Sequence, residues 1–119
     1  MDSPVARIAL VTGGAGGIGA AVCRALAAQG RRVAVADLDG EGAALIAAEV
    51  GGFGLALDVT DPGSVDHALE EVRARLGPVA ILVSCAGWDE MRPFAETDEP
   101  FQARVLEINL AGPIRVVRS

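Results

Sequence analysis

The sequence predicts an α/β fold, a parallel sheet covered by helices on both faces, and three observations carry that prediction. Short apolar runs alternate with stretches of helical periodicity along the chain. The connections between them are short, which implies parallel strands joined by right-handed crossovers. The runs are apolar throughout rather than alternating with polar residues, as suits strands buried on two sides.

Taken in order, residues 8–11 read as a first strand. Ile18, Val22, Ala25 and Leu26 then fall at helical spacing, and Gly30 stops that helix. Residues 32–37 form a second strand ending in Asp37. An alanine-rich helix at 41–50 ends at Gly51 and Gly52, and a third strand spans 53–57. The triplet Thr60-Asp61-Pro62 supplies an N-cap and an early helical proline. Val65, Leu69, Val72 and Leu76 continue that helix on one face until Gly77 and Pro78. Residues 79–84 form a fourth strand that is apolar on both faces, as suits an interior position. A charged loop at 87–99 leads to a final helical stretch from about Pro100.

The chain has 119 residues, 51% of them apolar, enough for one core and one domain at 1–119. No apolar run approaches the roughly 18 residues of a membrane span, and no signal peptide precedes the first strand. A net charge of −6 argues against nucleic-acid and anionic-membrane partners. Cys23 and Cys85 lack CxxC spacing and read as buried free thiols of a cytoplasmic protein, with no metal expected. All ten basic residues are arginine, and tyrosine is absent.

Between the first strand and first helix, residues 13–19 hold five glycines in seven positions. Gly13 suits a sharp turn, Gly17 would let a pyrophosphate reach the backbone, and Gly19 would let helix and strand pack closely. The helix N-terminus offers its amides to an anion. Asp37 ends the second strand, where an acidic side chain accepts hydrogen bonds from a ribose diol. A turn or helix cap is the alternative role for Asp37, although Asp39 stands ready as that cap. Together these features predict a Rossmann-like dinucleotide site. No Lys-Ser or Lys-Thr follows the loop, so a P-loop is excluded.

From Thr12 to Gly19 the spacing TGxxxGxG resembles that of the short-chain dehydrogenase/reductase family, and further motifs extend the likeness. Asp58-Val59 is similar to the family pair that touches adenine. Ser84-Cys85-Ala86-Gly87 stands where the family has Asn-Asn-Ala-Gly beside the cofactor ribose. Ile108-Asn109-Leu110-Ala111-Gly112 resembles the helix segment whose Asn supports a proton relay. The resemblance implies sheet order 3-2-1-4 and an NAD site at Gly13, Ala15, Gly17, Ile18, Gly19, Asp37, Leu38, Asp58, Val59, Ala86 and Gly87. Asn109 is the sole relay member it places in this chain. Gly87-Trp88-Asp89 is similar to members acting on hydroxyacyl-CoA substrates, while Asp89 and Glu90 read first as solvated loop.

The same resemblance places a catalytic Ser and a Tyr-x-x-x-Lys pair beyond residue 119, in a sheet of seven strands. Neither tyrosine nor lysine occurs here, and His67 reads as a surface residue beside Asp66, Glu70 and Glu71. Cys85 has no basic neighbour in sequence to lower its thiol pKa. The expectation is therefore an incomplete, N-terminal half of a larger Rossmann fold, truncated to about four strands. The fourth strand lacks its outer neighbour, so self-association or a homo-oligomer is expected. Completed, such a half would serve NAD-dependent interconversion of a secondary alcohol and a ketone, and alone it would be inactive. A non-catalytic nucleotide-binding module or regulatory partner stays open as the alternative.

Overall fold

The computed structural model describes residues 7–87 and 97–118. Four parallel strands, β1 (Ile8–Thr12), β2 (Arg32–Asp37), β3 (Phe53–Ala56) and β4 (Val79–Ser84), form one sheet in the order β3-β2-β1-β4. Helices α1 (Gly17–Ala28), α2 (Gly40–Val50) and α3 (Pro62–Arg75) cross between them. The α/β class is the one that the sequence predicts, and the strand order is the one that the family resemblance implies.

Alternation along the strands divides the core into two layers. Ile8 and Leu10 of β1, with Ala34 and Ala36 of β2, pack against Val65, Ala68, Leu69 and Val72 of α3. Val11, Val33 and Val35 face the other way, against Cys23 of α1 and Ala43 and Ala47 of α2. Both layers meet in β1 and β2, whose central residues are fully buried.

The helix caps follow the acidic residues in the loops. Asp39 accepts from the Gly42 amide to start α2, and Asp61 accepts from the Gly63 and Ser64 amides to start α3. Asp98 does the same for α4 (Glu99–Leu106) through the Phe101 amide. Helix α1 is different, because its N-cap residue is Gly16, which provides no side-chain cap.

Some boundaries differ from the sequence reading, among them the start of α2 at Gly40. Strand β1 extends through Thr12, and β3 closes at Ala56 rather than at residue 57. The final helix is not uniform: α4 passes into a π-helical turn (Glu107–Ala111) and then into α5 (Gly112–Arg118). Asn109 Nδ2 donates to the Val105 carbonyl at 3.0 Å, the acceptor its own amide would use in an α-helix. Pro113 has no N–H for the Asn109 carbonyl. Both effects widen the ladder at one place.

Strand β4 pairs only with β1 among the described residues, and it stands at the sheet edge. Its six residues are half-buried or exposed despite their apolar composition.

Candidate functional site

The C-terminal ends of the strands open into a cleft of about 590 Å³. Thr12, Gly13 and Gly16 form its floor after β1, while Asp37 and Leu38 bound it after β2. Asp58, Val59 and Thr60 supply the wall beyond β3, and Cys85, Ala86 and Gly87 the opposite one beyond β4. Arg104, Glu107 and Ile108 reach in from the last helical segment. A crevice at the carboxyl ends of parallel strands is where open α/β sheets bind ligands.

The loop glycines divide by what a side chain would meet. Gly13 has a φ of +67°, and a Cβ there would lie 2.6 Å from the Cys85 and Ala86 backbone. A Cβ on Gly19 would lie 2.0 Å from the Gly13 carbonyl oxygen. Those two glycines are dictated by the fold. A Cβ on Gly17 would meet nothing within 4 Å. Packing gives no reason for glycine at position 17, and the uncapped N-terminus of α1 begins there.

Asp37 is held by two backbone amides. Its Oδ2 accepts from the Ala15 amide at 3.0 Å, and its Oδ1 accepts from the Asp39 amide at 2.9 Å. Helix capping falls to Asp39, which leaves the Asp37 carboxylate as part of the cleft wall. Leu38 beside it is 73% exposed and stands on the rim.

Across the cleft, Asp58 Oδ1 accepts from the Thr60 hydroxyl at 2.6 Å and the Thr60 amide at 2.9 Å. Those bonds, the hydroxyl first, hold its carboxyl below the ordinary value, with Arg115 adding a smaller electrostatic pull. The Asp58 amide donates to Ser64 Oγ at 3.0 Å, so this segment is fixed from both sides. Val59 is buried behind it.

Not every predicted residue lines the cleft. Gly13, Asp37, Leu38, Asp58, Val59, Ala86 and Gly87 do. Ala15 contributes through its amide to Asp37 and Gly19 through packing, whereas Gly17 is exposed and outside the lining. Ile18 is 78% exposed in the first turn of α1, outside the lining. The Asn109 side chain is also outside the lining, bonded back to its own helix, with Oδ1 facing the Gly87 backbone.

The cysteines depart in part from the sequence reading. Both are free, but only Cys23 is buried, and burial pushes its thiol up. Cys85 is half-buried at the cleft because it follows β4 directly, where its amide donates to the Thr12 carbonyl. His67 is at the surface, 3.6 Å from Glu71 one turn away. Trp88, Asp89 and Glu90 lie outside the described residues.

Sequence reasoning missed Thr60, Arg104 and Glu107 as cleft residues. Thr60 had a local signal, two residues after an Asp at a strand end, where Asx turns form. Arg104 and Glu107 had none, since the approach of their helix is a matter of tertiary packing.

Among the described residues, no helix is long and apolar enough to cross a membrane. The family model for short chain dehydrogenases matches residues 7–119. The chain is 43% identical over 111 residues to the D-threitol dehydrogenase of Mycolicibacterium smegmatis, covering 89% of this chain and 43% of that one. It is 37% identical over 115 residues to the sorbitol dehydrogenase of Cereibacter sphaeroides, covering 95% and 45% respectively. Its fold is similar to the crystal structure of an actinorhodin polyketide ketoreductase with NADPH, at a TM-score of 0.92 and 32% identity. That match covers 99% of this chain and 47% of the other. The chain thus spans less than half the length of these relatives. It belongs to the short-chain dehydrogenase family, whose members bind a nicotinamide nucleotide.

Proposed function

We propose that residues 1–119 form the cofactor-binding half of an NAD-dependent oxidoreductase that interconverts a secondary alcohol and a ketone. The observation that carries this reading is the uncapped N-terminus of α1, whose N-cap residue Gly16 lines the same cleft as the anchored Asp37 carboxylate. A pyrophosphate at the α1 N-terminus would take its amides and the positive end of the helix dipole. The ribose diol would then donate to Asp37, and adenine would lie between Leu38 and the wall at Asp58 and Val59. The names of the relatives, two polyol dehydrogenases and a ketoreductase, support an alcohol or ketone as substrate.

Bound cofactor supplies hydride transfer. The chain's own residues supply binding and orientation, and the 119 positions include no tyrosine and no lysine to take the proton. Turnover at the alcohol oxygen needs an acid–base group, worth about 10²–10⁴-fold. The isolated chain is therefore expected to bind nucleotide and turn nothing over.

NAD is favoured over NADP because a 2′-phosphate would meet Asp37. Two unit charges about 4 Å apart repel by about 4 kcal/mol at an effective dielectric near 20. Screening reduces this to roughly 1.5–3 kcal/mol, a tenfold to hundredfold preference. Calorimetric titration with both nucleotides tests the reading. Equal or tighter NADP binding would overturn the NAD assignment, and Asp37→Ser should narrow the gap.

A further inference from the structure

Arg115 projects from α5 toward the loop that follows β3, and its guanidinium reaches acceptors on two elements. One terminal nitrogen donates to the Val59 carbonyl at 2.5 Å, and the other pairs with Glu107 at 3.0 Å. Its side chain is 26% exposed, so solvent screens these contacts only in part. Glu107 opens the π-helical turn and itself lines the cleft. Val59 lines the wall beyond β3. One side chain thus ties the wall beyond β3 to the last helical segment.

Backbone packing at the same seam is close. A Cβ on Gly112 would lie 2.6 Å from Val59 Cγ2 and 3.1 Å from the Glu107 carbonyl oxygen. The helix can therefore approach Val59 only because residue 112 is glycine. Val116, one residue beyond Arg115, is buried in the same layer of the core. The two segments are in contact behind the cleft, and Arg115 supplies the polar connection between them.

We infer that Arg115 is a positioning residue for the adenine end of the cleft, holding the Val59 peptide and Glu107 at a fixed separation. The inference rests on the proposed nucleotide reading, in which Asp58 and Val59 face adenine. Arg115 does not touch the ligand and acts through Val59. The planar fork of arginine matches two acceptors at once, whereas a lysine ammonium keeps the charge without the fork. A widened slot would loosen adenine while leaving Asp37, held by the Ala15 and Asp39 amides, and the glycine loop as they are.

The test compares the wild-type protein with Arg115→Met and Arg115→Lys. ADP-ribose first checks the underlying reading by calorimetry. AMP and ribose 5-phosphate are then titrated against the loop amide resonances, and the Asp58 carboxyl is titrated by carbon NMR. Arg115→Met should weaken AMP about tenfold, the equivalent of one charge-assisted hydrogen bond, and leave ribose 5-phosphate unchanged. It should also raise the Asp58 carboxyl pKa, which Arg115→Lys should restore while recovering only part of the AMP affinity. Failure of the wild type to bind ADP-ribose would overturn the nucleotide reading and this inference together. Normal wild-type binding with equal AMP affinity in Arg115→Met would overturn the inference alone. Parallel loss of both ligands with a lowered melting temperature would assign Arg115 a merely structural role and likewise overturn it.

Discussion

Strands β1 and β4 are hydrogen-bonded neighbours of similar apolar composition, yet every residue of β1 is buried and none of β4 is. Strand β1 has a partner on each side, whereas β4 has one among the described residues. Strand β3 is also an edge strand, but the loop after it is tied down through Asp58, so the cleft has a closed region from β3 to β1 and an open region at β4. Asp37 and Asp58 belong to the closed region, and both carboxylates are held by hydrogen bonds within the protein. The open region offers the cleft mainly Cys85, Ala86 and Gly87. Preorganisation is concentrated where adenosine is proposed to bind.

The largest expected effect lies in the closed region. Gly19→Ala drives a methyl group into the Gly13 carbonyl and should lower stability by about 3 kcal/mol, the upper end of overpacking. Urea unfolding measures it, and a change near zero would show that the loop adapts freely.

The open region should respond to charge. Val83 pairs with Val11 in register and is half-buried against the layer that includes Val11 and Cys23. Val83→Lys should cost about 2 kcal/mol through burial of a polar group and should reduce self-association at the β4 edge. Light scattering provides the comparison. A wild-type protein that stays monomeric at high concentration would contradict the edge argument.

Gly17→Ala sharpens the contrast within one loop. The methyl group enters open space at the start of a helix, where alanine is preferred to glycine, so stability should hold or rise. Nucleotide affinity should nevertheless fall about tenfold as the phosphate loses close contact with the backbone. Unchanged affinity would mean that position 17 does not face the ligand.

The smallest effect is one of pH. Asp58 is held below its ordinary pKa, chiefly by the Thr60 hydroxyl. A lowered folded-state value contributes stability that is complete above the unfolded-state value, about 4, and is lost as pH falls through the folded-state value. Asp58→Asn should flatten that part of the acid-unfolding profile. A profile identical to wild type below about pH 4 would place the controlling carboxylate elsewhere.

The sheet was legible because its signals are local. Apolar runs such as Ile8–Thr12 and Val79–Ser84 identify strands wherever they stand, and the short connections between elements fix their direction. Asp37 was legible too, since its distance from the glycine loop follows from one β-strand and one helix. The π-helical turn was not. Its cause is a side-chain bond from Asn109 to Val105 beside Pro113, and hydrophobic periodicity does not register a ladder widened by one residue. For the same reason Asn109 could be named from its motif while its orientation could not. Arg115 was invisible in sequence because Val59, which accepts from it, and Glu107, which pairs with it, lie on elements that only folding brings together.

If binding is organised in the closed region, the nicotinamide half of the cofactor should add little affinity to this chain. Calorimetric titration with ADP-ribose and with NAD measures this under one set of conditions. The account predicts dissociation constants within about threefold of each other, a difference of about 0.7 kcal/mol. NAD binding more than about tenfold tighter than ADP-ribose would place a major contact beyond β4 and contradict it.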